Sequence, residues 1–557
     1  MGVFAKFSVF NTRLALACAV IAVSTFNYGF DNQAFSTTQA MDAFDRQFGV
    51  LDPKTKKYIL EPYWLSLFNS LNYIGFAFGT NNHSYVDTVS PLAWIMYCIA
   101  LVRLLTARCM LGVFLGSIIS ARFGRRWCMF SMSCYAIVTA TIAVTSVSRE
   151  QIMAARILNY IYVGMELAVV PTFQSEIVPA AARGIMVGSY QFSLMAGGLV
   201  INLVCFGTSN IQDNRSWRIP IGLFYIVPSI VLSLIFFIPE SPRWLLRKNR
   251  VDEALVNLRL LRQGRFSEEE IESEFRELRV SLEQEVEKGR FIEIFQGGNL
   301  KRTLIAVVVN MLQQLTGQGF SSQYGTIYVK SLNTINPFAF SLITLSVALV
   351  IMTASLLWAD HAGRRALLFT SSTIICVGMM VMGGLGVETP VSTARRNGIV
   401  GMMIVFVIGF ASGWGPVPYV VTSEVSALRL RDYTARVAFG TNVLFNFAVN
   451  FSIPYLIYDK YAGLNSKVGF IFGAIMALAI VFVYFCVPEC KGKTLEQVDF
   501  LFNSGIPARK FGSTDAAAMM AVANDAAAVN SALRKEEAVD NVEDIELAAG
   551  ETASGTK

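Results

Sequence analysis

The sequence predicts an all-α membrane protein, with about twelve membrane-crossing helices in two bundles of six. Three observations carry that prediction. Only 15% of the 557 residues are charged and 54% are apolar, whereas water-soluble domains run near 25% charged; a chain facing lipid keeps charge out of most of its length. Apolar stretches of roughly 20 residues, enough to cross about 30 Å of hydrocarbon, recur with short polar breaks. They fall into two clusters of five or six, one on each side of a long charged loop.

In the first cluster the spans read 14–34, a broken segment starting at 64, then 127–147, 152–171, 184–206 and 217–239. In the second they read 303–329, 337–359, 366–386, 399–423, 434–457 and 467–487. The first apolar run ends in Asn27, Asp31 and Asn32, not in a small-residue cleavage site, so it reads as a retained helix after a short 1–13 terminus. The segment starting at Trp64 runs into Thr80-Asn81-Asn82-His83-Ser84, and apolar sequence resumes at Val113. Joining 64–79 to 113–121 gives a normal span. The intervening 80–112 contains Asp87, Arg103 and Arg108 and no span of its own, and reads as an insertion such as a retained intron, the alternative being a lumenal or re-entrant loop.

These boundaries give an N-terminal bundle over 14–239, a loop over 240–302, a C-terminal bundle over 303–487 and a tail over 488–557. The loop holds Glu268-Glu269-Glu270 and Arg276-Glu277-Leu278-Arg279 with apolar residues at helical spacing, the pattern of solvated helices. Basic clusters at Arg122/Arg125/Arg126, Arg243/Arg247/Lys248/Arg250 and Arg364/Arg365 share one side of the predicted topology, which makes that side and both termini cytoplasmic; Arg395/Arg396 fall on the other side. Asn214-Arg215-Ser216, in a predicted outer loop, has the form of a glycan acceptor. Beyond about 505 the chain is Ala-rich and then acidic, a composition that predicts disorder.

Most enzyme classes are excluded. The two histidines, His83 and His361, and nine singly placed cysteines offer no paired spacing for a metal centre, disulfide framework or catalytic triad. No catalytic residue, metal or cofactor is expected. The net charge of +6 is modest, and there is no nucleic-acid signal.

The halves carry matching loops after their second spans, Ala121-Arg122-Phe123-Gly124-Arg125-Arg126 and Asp360-His361-Ala362-Gly363-Arg364-Arg365, which imply an internal repeat. A second pair follows the last span of each half, Pro239-Glu240-Ser241-Pro242-Arg243-Trp244-Leu245 and Pro488-Glu489-Cys490-Lys491-Gly492-Lys493-Thr494. Further runs are Pro171-Thr172-Phe173-Gln174-Ser175-Glu176 with Arg183-Gly184, and Gly415-Pro416-Val417-Pro418-Tyr419 with Ser423-Glu424. Together these residues resemble the sugar-porter branch of the major facilitator superfamily, and their spelling is similar to fungal sugar and lactose permeases. The match is partial: Ala121, Ser117, Leu356, His361 and Cys490 depart from the family pattern. The resemblance implies the major facilitator fold, and a gate built from Arg122, Gly124, Arg125, Arg126, Glu176, Arg183, Glu240, Arg243, Asp360, Gly363, Arg364, Arg365, Glu424 and Glu489.

Polar side chains inside apolar spans are costly in lipid and normally face a cavity or a partner. Asp31, in Tyr28-Gly29-Phe30-Asp31, stands where the family's proton-coupled members carry their protonation site, and Arg156 stands at its partner's position. Gln313-Gln314 opens Gln-Gln-Leu-Thr-Gly-Gln-Gly-Phe, close to the family's sugar-binding run, with Gly319 in place of an asparagine. Carboxamides suit a sugar because each offers a donor and an acceptor to adjacent hydroxyls with no charge to desolvate. By family position Gln191, Asn442 and Tyr419 join Gln313 and Gln314 at the sugar, Tyr419 as a stacking ring. Glu166 and Asn446 are further intramembrane polar groups, assigned to packing in the bundle interior. The resemblance implies a monomeric plasma-membrane symporter that moves a hexose or disaccharide with a proton by alternating access. The alternatives are a facilitator, a porter of polyols or quinate-like acids, or a transport-inactive sugar sensor.

Overall fold

The computed structural model describes residues 10–77 and 119–519, apart from 52–55, 57, 284–289, 389, 459–460, 494 and 516–517. The 80–112 segment and the acidic end of the tail lie outside the described residues.

The described residues are helical almost throughout. Helix α1 (Thr12–Thr38) starts where the Asn11 side chain accepts the Leu14 N–H at 2.7 Å, satisfying one of the amides a helix start leaves open. A short helix α2 (Asp42–Phe48) and a two-stranded hairpin, β1 (Val50–Leu51) against β2 (Tyr58–Ile59), follow before α3 (Pro62–Ala77). The first half continues with α4 (Arg125–Val144), α5 (Arg149–Ile177) and α6 (Ala180–Thr208). It closes on α7 (Arg215–Gly222) and α8 (Ile226–Leu234), joined by a 3-10 turn.

Three helices then lie outside the bundles: α9 (Pro242–Arg247), α10 (Val251–Arg262) and α11 (Glu268–Glu283). The second half comprises α12 (Gly297–Leu315), α13 (Gln318–Gln323), α14 (Gly325–Leu332), α15 (Pro337–Ala362) and α16 (Arg364–Leu385). It ends with α17 (Thr393–Gly409), α18 (Val417–Val425), α19 (Arg431–Ile457) and α20 (Val468–Cys486), followed by the tail helix α21 (Leu495–Asn503).

Among the described residues, ten helices or joined helices are long and apolar enough to cross a membrane. The second and seventh crossings are α3 and the succession α12–α14, which complete twelve. The seventh falls outside the ten because it is broken: Gly317 takes a left-handed φ of 94° between α12 and α13. The tenth crossing bends too, through a π-turn over Phe410–Trp414 between α17 and α18.

In the first half α1 packs on α6, and α4 on α5; in the second α16 packs on α17 and α20, and α12 on α19. The α1–α6 approach needs glycine: a Cβ on Gly29 would stand 1.8 Å from the Leu194 carbonyl oxygen, and one on Gly197 2.1 Å from that of Phe26. The halves meet through α3 on α19 and α6 on α15, and through α13 and α14 on α1.

The end bearing the Gly-Arg-Arg loops is the basic end, and the other is the far end. At the basic end the loop helices form a cap. Arg262 is 2% exposed; it donates to the Ile177 carbonyl at 2.9 Å and to both oxygens of Glu274 at 2.9 and 2.8 Å. Asn11 ties the start of α1 to the Leu260 and Gln263 carbonyls. At the far end α2 is seated by Phe44 and Phe48, whose rings lie 5.9 and 5.3 Å from the fully buried Trp217.

One sequence expectation is narrowed. The tail stays ordered past residue 505: a 3-10 turn over Ala508–Ser513 buries Phe511 against Phe502, 4.8 Å between rings, and Leu501 is fully buried as well. Local composition hid this, because two aromatics and a leucine suffice for a small cluster. The glycan tripeptide is engaged: the Asn214 amide donates to Gln47 at 3.0 Å and Ser216 is 0% exposed.

Candidate functional site

The two Gly-Arg-Arg loops fold into the same device. Each glycine takes positive φ, 102° at Gly124 and 90° at Gly363, which turns the chain so that the next two N–H groups point outward at a helix start. A carboxylate arriving from the end of its own half accepts both. Glu240 takes the Arg125 and Arg126 amides at 3.1 Å each, and Glu489 takes those of Arg364 and Arg365 at 3.0 and 3.1 Å. A helix N-terminus favours negative charge there.

The arginine side chains extend the clamp. Arg125 forks onto Glu176 at 2.8 and 2.7 Å, and Arg364 reaches Glu424 at 3.2 and 2.9 Å. Arg126 and Arg365 donate to the Phe236 and Tyr484 carbonyls. Arg122 is exposed over the Phe123 ring, and Arg243 is half-buried in α9. The side chains of Arg183 and Asp360 lie outside the described residues.

Inside the first half Asp31 and Arg156 form an ion pair. Arg156 Nη1 lies 3.3 Å from both carboxylate oxygens, and the side chains are 3% and 6% exposed. The guanidinium carbon stands 3.9 Å above the Phe35 ring centroid, a cation–π contact in a desolvated setting. Asn159, one turn beyond Arg156, reaches Asp31 and accepts from Thr139 at 3.0 Å. A small recess lined by Asp31, Phe35, Arg156, Asn159 and Phe224 surrounds the pair.

Inside the second half the amides converge. Gln314 donates to Asn442 at 3.0 Å, Asn442 donates to Gln313 at 2.7 Å, and Gln313 donates to the Trp414 and Gly415 carbonyls at 2.9 and 3.0 Å, across the π-turn. Tyr419 is half-exposed, 5.7 Å from the Phe439 ring. Gln191 is half-buried on α6 of the other half.

Sequence reasoning missed three participants. Asn310 accepts from Asn442 and donates to Thr422 at 2.7 Å, and its spacing of three and four from Gln313 and Gln314 was the available signal. Asn159 had the same signal from Arg156. Asn450 had it from Asn446, one turn earlier: its Oδ1 sits 2.7 Å from where a Cβ on Gly319 would be, so an eleventh-helix amide fills the space a seventh-helix asparagine would occupy.

A family model described as "Sugar (and other) transporter" matches residues 17–502. The chain belongs to this family. As a sugar-transporter family member it is a multi-pass membrane protein. It is 31% identical over 79% of its length to the major facilitator-type transporter ecdD of Aspergillus rugulosus, covering 82% of that protein. It is 27% identical over 88% of its length to the low-affinity glucose transporter HXT3 of Saccharomyces cerevisiae, also covering 82% of it. The fold is that of the inward-open xylose transporter XylE from E. coli, with a TM-score of 0.67 at 21% identity over 88% of this chain and 99% of that one.

Proposed function

We propose that this protein moves a sugar, a hexose or disaccharide, together with a proton, by rocking one bundle against the other. The observation that carries the reading is the Asp31–Arg156 pair, an acid and its cation removed from water inside the first half, with no covalent chemistry for them to serve. Taking up and giving up a proton changes whether the pair holds, which gives the two conformations different affinities and so couples proton to cargo. The amide cluster supplies the uncharged side of the site. Gln313, Gln314, Asn442, Gln191 and Tyr419 bind the sugar, and its hydroxyls exchange for the hydrogen bonds the amides now make with one another. The glucose-transporting name of the yeast relative supports a hexose.

The basic end faces the cytoplasm and carries both termini, with the plasma membrane as location, the monomer as functional unit and the proton as sole coupling ion. The far-end arginines accord with this: Arg395 pairs with Glu388, and Arg396 donates to the Val391 and Leu332 carbonyls.

The test is uptake of labelled glucose, xylose, maltose, lactose and cellobiose in yeast stripped of its own hexose porters, with and without a protonophore, for the full chain and for Asp31→Asn. Symport predicts uptake that the protonophore abolishes and no accumulation by D31N. Uptake that survives the protonophore makes the protein a facilitator. No uptake, with the protein at the surface, favours the polyol, quinate-like acid or sensor alternatives.

A further inference from the structure

The symport reading leaves a second buried carboxyl unused. Glu166 on α5 is 0% exposed, and among the described residues no donor reaches either of its carboxylate oxygens. It lies ten residues beyond Arg156, about 15 Å along the helix at 1.5 Å per residue. Its surroundings are polar where apolar packing would be cheaper. Tyr162, one turn before it, has its hydroxyl within reach of Ser24 and Asn27 on α1. Tyr190 on α6 faces Glu166, Tyr28 and Tyr419, and its hydroxyl has no partner among the described residues. Gln174, two turns further along α5, is 1% exposed, with neither amide atom partnered among the described residues.

These residues form two stripes. Ser24, Asn27 and Asp31 recur at three- and four-residue spacing on α1, while Arg156, Asn159, Tyr162, Glu166 and Gln174 run along α5, which packs on α1. The stripes lead from the Asp31–Arg156 pair toward the basic end. Asp31 and Glu166 feel each other electrostatically, and Tyr162 feels both.

An ionised carboxylate with no donor costs far more to bury than the neutral acid. Glu166 therefore holds a proton in this conformation. We propose that Glu166 is a second proton-carrying group, passing the proton between Asp31 and the basic end along the α1–α5 polar file. The proton leaves the Asp31 carboxyl, crosses by way of the Tyr162 hydroxyl, which donates as it accepts, and reaches Glu166 as that group releases its own proton to the water at the basic end. Only O–H bonds form and break, and nothing is oxidised or reduced. The proposal rests on the symport reading.

The test uses the purified full-length protein in liposomes, with D-glucose as probe. Glucose counterflow needs no proton release, whereas accumulation driven by an imposed pH gradient does. Glu166→Gln should keep counterflow within about twofold of the parent and lose accumulation on the order of a hundredfold, with Glu166→Asp recovering part of it. The infrared band of a protonated carboxyl should vanish in E166Q and persist in Asp31→Asn. E166Q that accumulates glucose like the parent overturns the relay and leaves symport standing. E166Q and E166D that both lose counterflow assign Glu166 a structural role and also overturn it. A parent that exchanges glucose yet ignores the pH gradient refutes symport and takes the relay with it.

Discussion

Asp45→Asn should erase a pH dependence in how tightly the far end closes. Lys330 at the end of α14 reaches across the halves, its Nζ lying 2.8 Å from Asp42 and 3.0 Å from Asp45 on α2. Burial pushes the Asp45 carboxyl up from 3.8 to about 6; Lys330 pulls it down and Asp42 adds to the rise. The other titratable group facing it is Tyr458, at the end of α19. When the far end opens, Asp45 returns to water and to an ordinary value near ~3.9. The closed form therefore binds the proton more tightly. Its advantage is complete below about pH 3.9 and is lost as pH rises through about 6. A pKa difference of that size is worth about 3 kcal/mol, on the order of a hundredfold in the ratio of closed to open. Spin labels at Asp213 and Ile335, exposed on the two halves near the far end, read that ratio as a distance distribution. The parent should shift from the short toward the long distance between pH 4 and 7, and D45N should stay flat. A parent without the shift, or a D45N that keeps it, would refute the reasoning.

Gly124→Ala and Gly363→Ala should each lower thermal stability in detergent by about 1–3 kcal/mol. Both positions have positive φ, and the added methyl would stand 2.4 Å from Glu240 Oε2 or 2.6 Å from Glu489 Oε2. Glu176→Gln breaks the nearly buried fork on Arg125, and by the cost of orphaning a buried charge it should remove on the order of 3–5 kcal/mol, read in the same melt. Gly319→Asn should abolish sugar uptake by colliding with Asn450, and Asn450→Gly in the same chain should restore part of it; a dead double variant with normal surface expression would rule out the exchange of places.

Much of the paired loop–carboxylate cluster at the basic end was legible because its parts obey local rules. A glycine before two arginines at a helix start, and a carboxylate beside the proline that ends a helix, are readable from neighbours in sequence, and the structure joins Glu240 to Arg125 and Arg126 across more than a hundred residues. The amides of the seventh crossing were legible as polar groups in apolar sequence. Their partners were less so: Asn310 looks like any intramembrane asparagine until its bonds to Asn442 and Thr422 are seen. The Lys330 contact was not legible at all. A lysine and two aspartates in short helices nearly three hundred residues apart carry no pattern, and only the packing of the halves brings them within 3.0 Å. The order of 508–513 was hidden because composition averages over a window, whereas Phe511 acts as a single side chain.

Among the described residues the Arg125–Glu176 and Arg364–Glu424 pairs of the basic end each close within one half, while the Lys330 pairs with Asp42 and Asp45 span both. The rocker is thus stiff at one end and slack at the other. Parting the halves at the basic end separates none of these charges, whereas parting them at the far end must pull an ammonium from two carboxylates. Salt in the outer medium, by screening those charges, should therefore act on the opening of the far end and leave the opening of the basic end unchanged, read as a change in the same spin-label distances with ionic strength.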